Sequence, residues 1–253
     1  MELTLFELLS NEPIHVEGVG DIKIPTLRDI RKIGYNVYEM LCNYLSVDLK
    51  KYLEIQELKE KYDKLSEDGK LANTLYNLII RNAEFSKVYV LIFSFFISEN
   101  MKFNVKNESF EFYKTEDNGK RELIGIINND NFDIVHDYLL QINKIKQIEV
   151  KNEAVKYKNE TARKLVERME QAAKAKQDKE LENFNIGKMI SKYCADNKNG
   201  INILNIWDMS IYQFYDQFAQ HNYIRESNIQ DMVYANTVSF SDINTYDSQL
   251  WLK

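Results

Sequence analysis

Proline and glycine are scarce in this chain. Two prolines and eight glycines among 253 residues leave few forced breaks, which favours long helices joined by short Asn/Asp-rich turns. Cysteine is as rare. Cys42 and Cys194 stand far apart and lack CxxC or Cys/His spacing, so a reduced protein is expected rather than a disulfide-stapled one. Long apolar runs are missing too: the most hydrophobic stretch, Val88 to Ile97, is about half the ~20 residues that a spanning helix needs. The first ten residues, MELTLFELLS, are too acidic for a secretory signal. Nor is there a basic excess. A net charge of −6 argues against general nucleic-acid binding, which needs a cationic face to displace counterions. These absences predict a cytoplasmic protein with neither nucleic acid nor membrane as its partner.

The marks of catalysis are also absent. No GxxxxGK[ST], GxGxxG or GxSxG motif occurs, and Gly18-Val19-Gly20 lacks the following helix and lysine of a phosphate cradle. His15, His136 and His221 are each alone, whereas a metal site wants two ligands at helical or turn spacing. The carboxylate pairs Glu67-Asp68, Glu116-Asp117 and Asp130 with Asp133 fall at turns or helix starts, where acids cap backbone N–H groups. The expectation is a non-enzymatic protein with no catalytic residue, metal or cofactor.

What is present reads as mainly α with a minor β component, an α+β chain. A short helix over 2–9 precedes a small hairpin, with Ile14 and Val16 before a Gly18–Asp21 turn and Ile22 and Ile24 after it. Thr26 with Asp29 forms a capping box, and Leu27, Ile30, Ile33, Val37, Leu41 and Tyr44 then recur at helical steps. Further helices are expected over 48–64, 70–82 and 84–98. The last is apolar nearly all round and is the candidate core helix, with a buried strand as the alternative. MKFNV, SFEFYK and ELIGIIN read as strands, with Asp117-Asn118-Gly119 as the hairpin turn. A helix follows with Phe132, Val135, Leu139, Ile142 and Ile145 on one stripe.

Three regions result. Residues 1–148 form a helical domain with small hairpins. Residues 149–183 form a charged helical linker or hinge, in which acids and bases mix closely. Residues 184–253 form a small aromatic-rich helical module, with a helix over 185–196 and a short one after Ser210. Ser210 with Gln213 matches the S-x-x-Q capping box, so that helix should begin at Ile211. Ile211, Phe214, Tyr215 and Phe218 then share a face that either fills the module's core or grips a partner. Trp207, Tyr212, Tyr215, Tyr223 and Trp251 are the candidate partner-binding residues, since Trp and Tyr dominate interface hot spots.

Two segments carry a family resemblance. One is Ile24-Pro25-Thr26-Leu27-Arg28-Asp29-Ile30 with Ile33-Gly34 and Tyr38. The other is Gly200 to Asp208, reading GINILNIWD, followed by Ile211-Tyr212-Gln213-Phe214, Gln217-Phe218 and the final Trp251. Their order resembles tail assembly chaperones of Firmicutes phages. Ala235 to Asp247 departs from that family's lysine-rich tail, and the family has no catalytic residue to carry over. The resemblance implies a non-enzymatic protein of the infected bacterial cytoplasm that binds tail components, the tape measure or the tail tube, during virion assembly. A structural protein of the phage tail or baseplate is the alternative, and self-association into a homo-oligomer stays open.

Overall fold

The computed structural model describes residues 2–115, 119–145, 186–198 and 200–235. The linker expected at 149–183, residues 117 and 118 of the expected hairpin turn, and Trp251 lie outside the described residues. The fold is mainly helical with two small antiparallel sheets, the mixed class that the sequence pattern predicts. The chain forms two compact units: Met1–Gln147 with Trp207–Tyr215, and Ile148–Ile206 with Asp216–Lys253.

In the first unit, α1 (Leu5–Leu8) precedes a hairpin of β1 (Ile14–Val16) and β2 (Gly20–Ile22), with Ile14 opposite Ile22. The Thr26–Asp29 capping box forms and starts α2 (Leu27–Ile33). The expected helix does not run on to Tyr44. Gly34, at φ 87°, ends α2 and begins α3 (Tyr35–Leu45). Apolar spacing continues across that break, so periodicity does not register it. The helix expected over 48–64 is likewise split, into α4 (Leu49–Ile55) and α5 (Lys59–Asp63), with Glu57 at φ 55° between them. Ser66 does more than interrupt: its hydroxyl accepts from the Gly69 N–H at 3.2 Å and caps the short α6 (Glu67–Leu71). Thr74 and Asn82 cap α7 (Leu75–Arg81) and α8 (Ala83–Phe96). The most apolar run is therefore a helix.

Strands β3 (Asn100–Asn104), β4 (Ser109–Thr115) and β5 (Arg121–Ile127) form an antiparallel sheet in that order, and α9 (Phe132–Ile142) follows. Aromatic rings join these elements. Phe93 of α8 meets Phe110 of β4 edge-on at 4.9 Å, Tyr89 lies 5.6 Å from Phe132 of α9, and Tyr76 of α7 lies 5.3 Å from Phe132. Such pairs add about 0.5–1.5 kcal/mol each beyond the area they bury. One polar atom is enclosed with them: the Tyr89 hydroxyl, fully buried, has no hydrogen-bond partner among the described residues.

The hairpin rests on the sheet through a backbone contact. Ile126 N–H of β5 donates to the Gly18 carbonyl at 2.8 Å. A Cβ on Gly125 would lie 1.9 Å from the Val19 carbonyl oxygen, so only glycine lets the two backbones approach. In the second unit, α10 (Ile186–Asp196) buries Ile190 and Tyr193. The helix after Ser210, expected to be short, is α11 (Ile211–Ala235), 25 residues long. Neither glycine nor proline interrupts it.

Two substitutions test this packing. Gly125→Ala should destabilise the protein by about 3 kcal/mol, at the upper end of overpacking costs, visible as a lower urea midpoint; an unchanged midpoint would contradict the Val19 contact. Tyr89→Phe removes an unpaired buried hydroxyl, so it should be neutral or stabilising by about 1 kcal/mol in the same assay.

Candidate interaction surface

The start of α11 is fixed by two sets of hydrogen bonds. Ser210 Oγ accepts from the Gln213 N–H at 3.1 Å, and Gln213 Oε1 accepts from the Ser210 N–H at 2.9 Å, completing the expected capping box. Pro25 to Leu27 then pairs with this segment: Leu27 N–H donates to the Met209 carbonyl at 2.8 Å, and Thr26 and Ser210 form an antiparallel bridge. Two capping boxes thus stand side by side, and α2 and α11 start together. Gln213 also donates through Nε2 to the Leu9 carbonyl at 2.8 Å.

This pairing decides where the aromatic face goes. Ile211 and Phe214 are fully buried, in the first unit rather than in the core of a separate C-terminal module. The candidate residues Trp207, Tyr212 and Tyr215 are half-buried and come together in that unit. Phe218 lies in the second unit, half-buried, 6.5 Å from Tyr193. Tyr223 is also in the second unit and half-buried.

Trp207, Tyr212 and Tyr215 each have a polar escort that sequence reading missed. The Arg31 guanidinium lies 5.5 Å from the Trp207 ring, and the Lys144 ammonium 4.9 Å from the Tyr212 ring. Lys144 reaches there from a left-handed backbone position (φ 54°) just past α9. Arg28 donates through Nε and Nη2 to Asp208 Oδ1 at 3.0 and 2.8 Å. Tyr215 is hydrogen-bonded to Tyr35, and burial pushes the pKa of its hydroxyl up. The partially available signal was the i,i+3 spacing of Arg28 and Arg31 on one helix face. A second omission is hydrophobic: Leu5 and Phe6 of α1 are 56% and 87% exposed, one turn from the Leu9 carbonyl that Gln213 grips. The first unit thus holds half-buried aromatic rings under cations together with exposed apolar side chains.

Elsewhere the titratable groups serve the fold. His136 is 6% exposed, stacks on Phe132 at 5.3 Å, and donates through Nε2 to the Leu45 carbonyl at 2.8 Å. His15 Nδ1 lies 2.7 Å from Asp21, and His221 Nε2 lies 3.0 Å from Asp196. Cys42 is half-buried, and burial pushes its thiol up to about 11, away from thiolate chemistry. A cleft of about 470 Å³ is lined by Asp48, Glu67, Asp133, Asp137 and His136. Three of these four acids have local work: Asp48 accepts from the Lys51 N–H at 2.7 Å, Glu67 from Lys70 at 3.1 Å, and Asp137 from Gln141 at 2.9 Å. Among the described residues, no three His, Cys, Asp or Glu side chains converge as metal ligands. No described helix is long and apolar enough to cross a membrane.

Residues 174–253 match the family model of the YomV second domain. YomV is a protein of a Bacillus phage region, and the match points to a phage-associated protein. It covers under a third of the chain. No curated protein and no solved structure matches the sequence.

The buried histidine makes a pH prediction. Burial lowers the pKa of His136, against the raising effects of the Leu45 carbonyl and of Asp133, Asp137 and Asp48. With the folded pKa below the unfolded one, the unfolded chain binds the extra proton. Stability from this group is therefore full above about pH 6.5 and falls as the pH drops below it. His136→Gln keeps a donor for Leu45, so the decline in urea midpoint between neutral and mildly acidic pH should be shallower in that variant.

Proposed function

We propose that this chain is a non-enzymatic binding protein that chaperones phage tail components in the cytoplasm of the infected bacterium. The observation that carries the reading is the aromatic and cationic surface around Trp207, Tyr212 and Tyr215, with exposed Phe6 close by in the same unit. The YomV second-domain match supplies the phage setting, and the likeness of the Pro25 and Trp207 segments to tail assembly chaperones supplies the task. Tape-measure helices or tail-tube subunits expose apolar surface until assembly buries it, and a chaperone covers that surface in the meantime. Here Phe6 and Leu5 would take the apolar contact, while Lys144 and Arg31 hold the rings of Tyr212 and Trp207 in place for the client.

Affinity capture of the tagged chain from infected cells should recover the tape-measure or tail-tube protein. Mass spectrometry of purified virions should find the chain absent; stoichiometric recovery would make it a structural tail protein instead. Phe6→Ala combined with Tyr212→Ala should weaken client capture by about 2 kcal/mol, roughly thirtyfold, with an unchanged circular-dichroism spectrum. Undiminished capture would move the binding surface elsewhere.

A further inference from the structure

A cavity of about 590 Å³ lies where the β1–β2 hairpin meets the three-stranded sheet, lined among others by His15, Gly20, Asp21, Glu99 and Lys114. Backbone contacts fix its walls. The Gly18 carbonyl accepts from the Ile126 N–H of β5 at 2.8 Å, and Lys23 N–H donates to the Phe96 carbonyl at 2.7 Å. Ile22 forms a bridge with Ile97, two residues before Glu99. A space of this size takes a small ligand or a long side chain.

Glu99 is the unusual member of the lining. Its Oε2 is enclosed, yet no hydrogen-bond donor meets it among the described residues. Gly20 lies against the same carboxylate, since a Cβ there would sit 3.7 Å from Oε2. Asp21 uses Oδ1 to hold His15 Nδ1 at 2.7 Å, and its Oδ2 has no partner among the described residues. Lys114 is the one lysine of the lining, and it is exposed. It forms no ion pair with either acid among the described residues. A carboxylate oxygen shut away without a donor is costly, and a donor brought from outside removes that cost.

The chemistry of the lining narrows the ligand. Two acids against one lysine leave it rich in acceptors, so the missing group is a cation with N–H donors. A hard metal ion asks for six or more oxygens around one point, and no three acidic, His or Cys side chains converge among the described residues. A guanidinium is a planar fork of five donors that can serve two carboxylates at once. Tyr113 and Ile124 of the same lining offer apolar surface to its aliphatic stem.

We propose that this cavity binds a guanidinium group, with Glu99 and Asp21 as its acceptors. The site shares no residue with the surface described for the client, so the two readings stand or fall separately.

The test is an amide-resolved NMR titration of the full chain with an acetylated, amidated Gly-Arg-Gly peptide, with its citrulline counterpart, and with ethylguanidinium. The arginine peptide should give saturable shifts of the Gly20 and Glu99 amides. The citrulline peptide, equal in shape but uncharged, should not. Glu99→Gln should weaken binding about tenfold. Asp21→Asn, at a side chain 50% exposed and so less able to disturb the fold, should weaken it in the same direction. Lys114→Ala should tighten binding by removing the competing charge. Ethylguanidinium binding as tightly as the peptide supports the site and assigns it to a free guanidinium compound. A clear advantage for the peptide supports it and assigns it to an arginine of another protein. The proposal is overturned by the absence of saturable shifts at millimolar peptide, by equal binding of the citrulline peptide, or by unchanged binding in both acid variants. Weaker binding by Lys114→Ala also overturns it, since the ligand would then be an anion. Displacement of the peptide by Mg²⁺ at the same amides overturns it in favour of a metal site.

Discussion

Helix α8 has an aromatic face that water cannot be allowed to reach, and the first unit is arranged around covering it. Tyr89, Ile92, Phe93 and Phe96 are all fully buried, and burying each such side chain contributes about 1.5–3 kcal/mol relative to leaving it exposed. No single neighbour is wide enough to do this. Phe132 of α9 covers Tyr89, Phe110 of β4 covers Phe93, and Tyr38 of α3 meets Phe95 at 6.3 Å. The three-stranded sheet is therefore held against the helices by ring contacts. Tyr76 then locks α7 to the sheet by donating to the Glu108 carbonyl at 2.6 Å, with the Ile127 carbonyl also in reach at 3.1 Å.

Local chemistry in the chain announced most of these elements. Thr26 with Asp29 and Ser210 with Gln213 start helices where their side chains can satisfy orphan N–H groups, a requirement that acts within four residues. The alternation of Ile14, Val16 and Ile22 announced the first hairpin, because residues two apart on a strand share one face of the sheet. Breaks were harder to see. Gly34 and Glu57 turn the chain at positive φ while the apolar spacing carries on, because what ends α2 and α4 is backbone conformation and not hydrophobic pattern. The length of α11 was missed in the opposite way: its polar second half looks like tail, yet nothing in it stops a helix.

The candidate surface was half legible. Its aromatics stood out by type, and the capping box placed them on a helix. Their surroundings did not show, since Asp208 finds Arg28 180 residues away and Lys144 reaches Tyr212 from the far end of α9. Contacts of that range leave no periodic trace. Nor did the sequence show that Ile211 and Phe214 are buried in the first unit, because the backbone bridge of Thr26 to Ser210 is invisible to any local rule. Phe6 escaped notice for a simpler reason: a lone exposed phenylalanine in a short helix has the same sequence signature as a buried one.

The first unit is discontinuous along the chain, made of Met1–Gln147 and Trp207–Tyr215. That has a consequence for synthesis. Ile211 and Phe214, both fully buried in the finished unit, leave the ribosome only after all of residues 148–206. At about 5–20 residues per second, the N-terminal residues wait several seconds for the piece that completes their core. During that interval Pro25 and Leu27 have no Met209–Ile211 segment to pair with, and the apolar surface meant for Ile211 and Phe214 stays uncovered. The first unit thus begins life with an apolar surface that a later stretch of the same chain must cover.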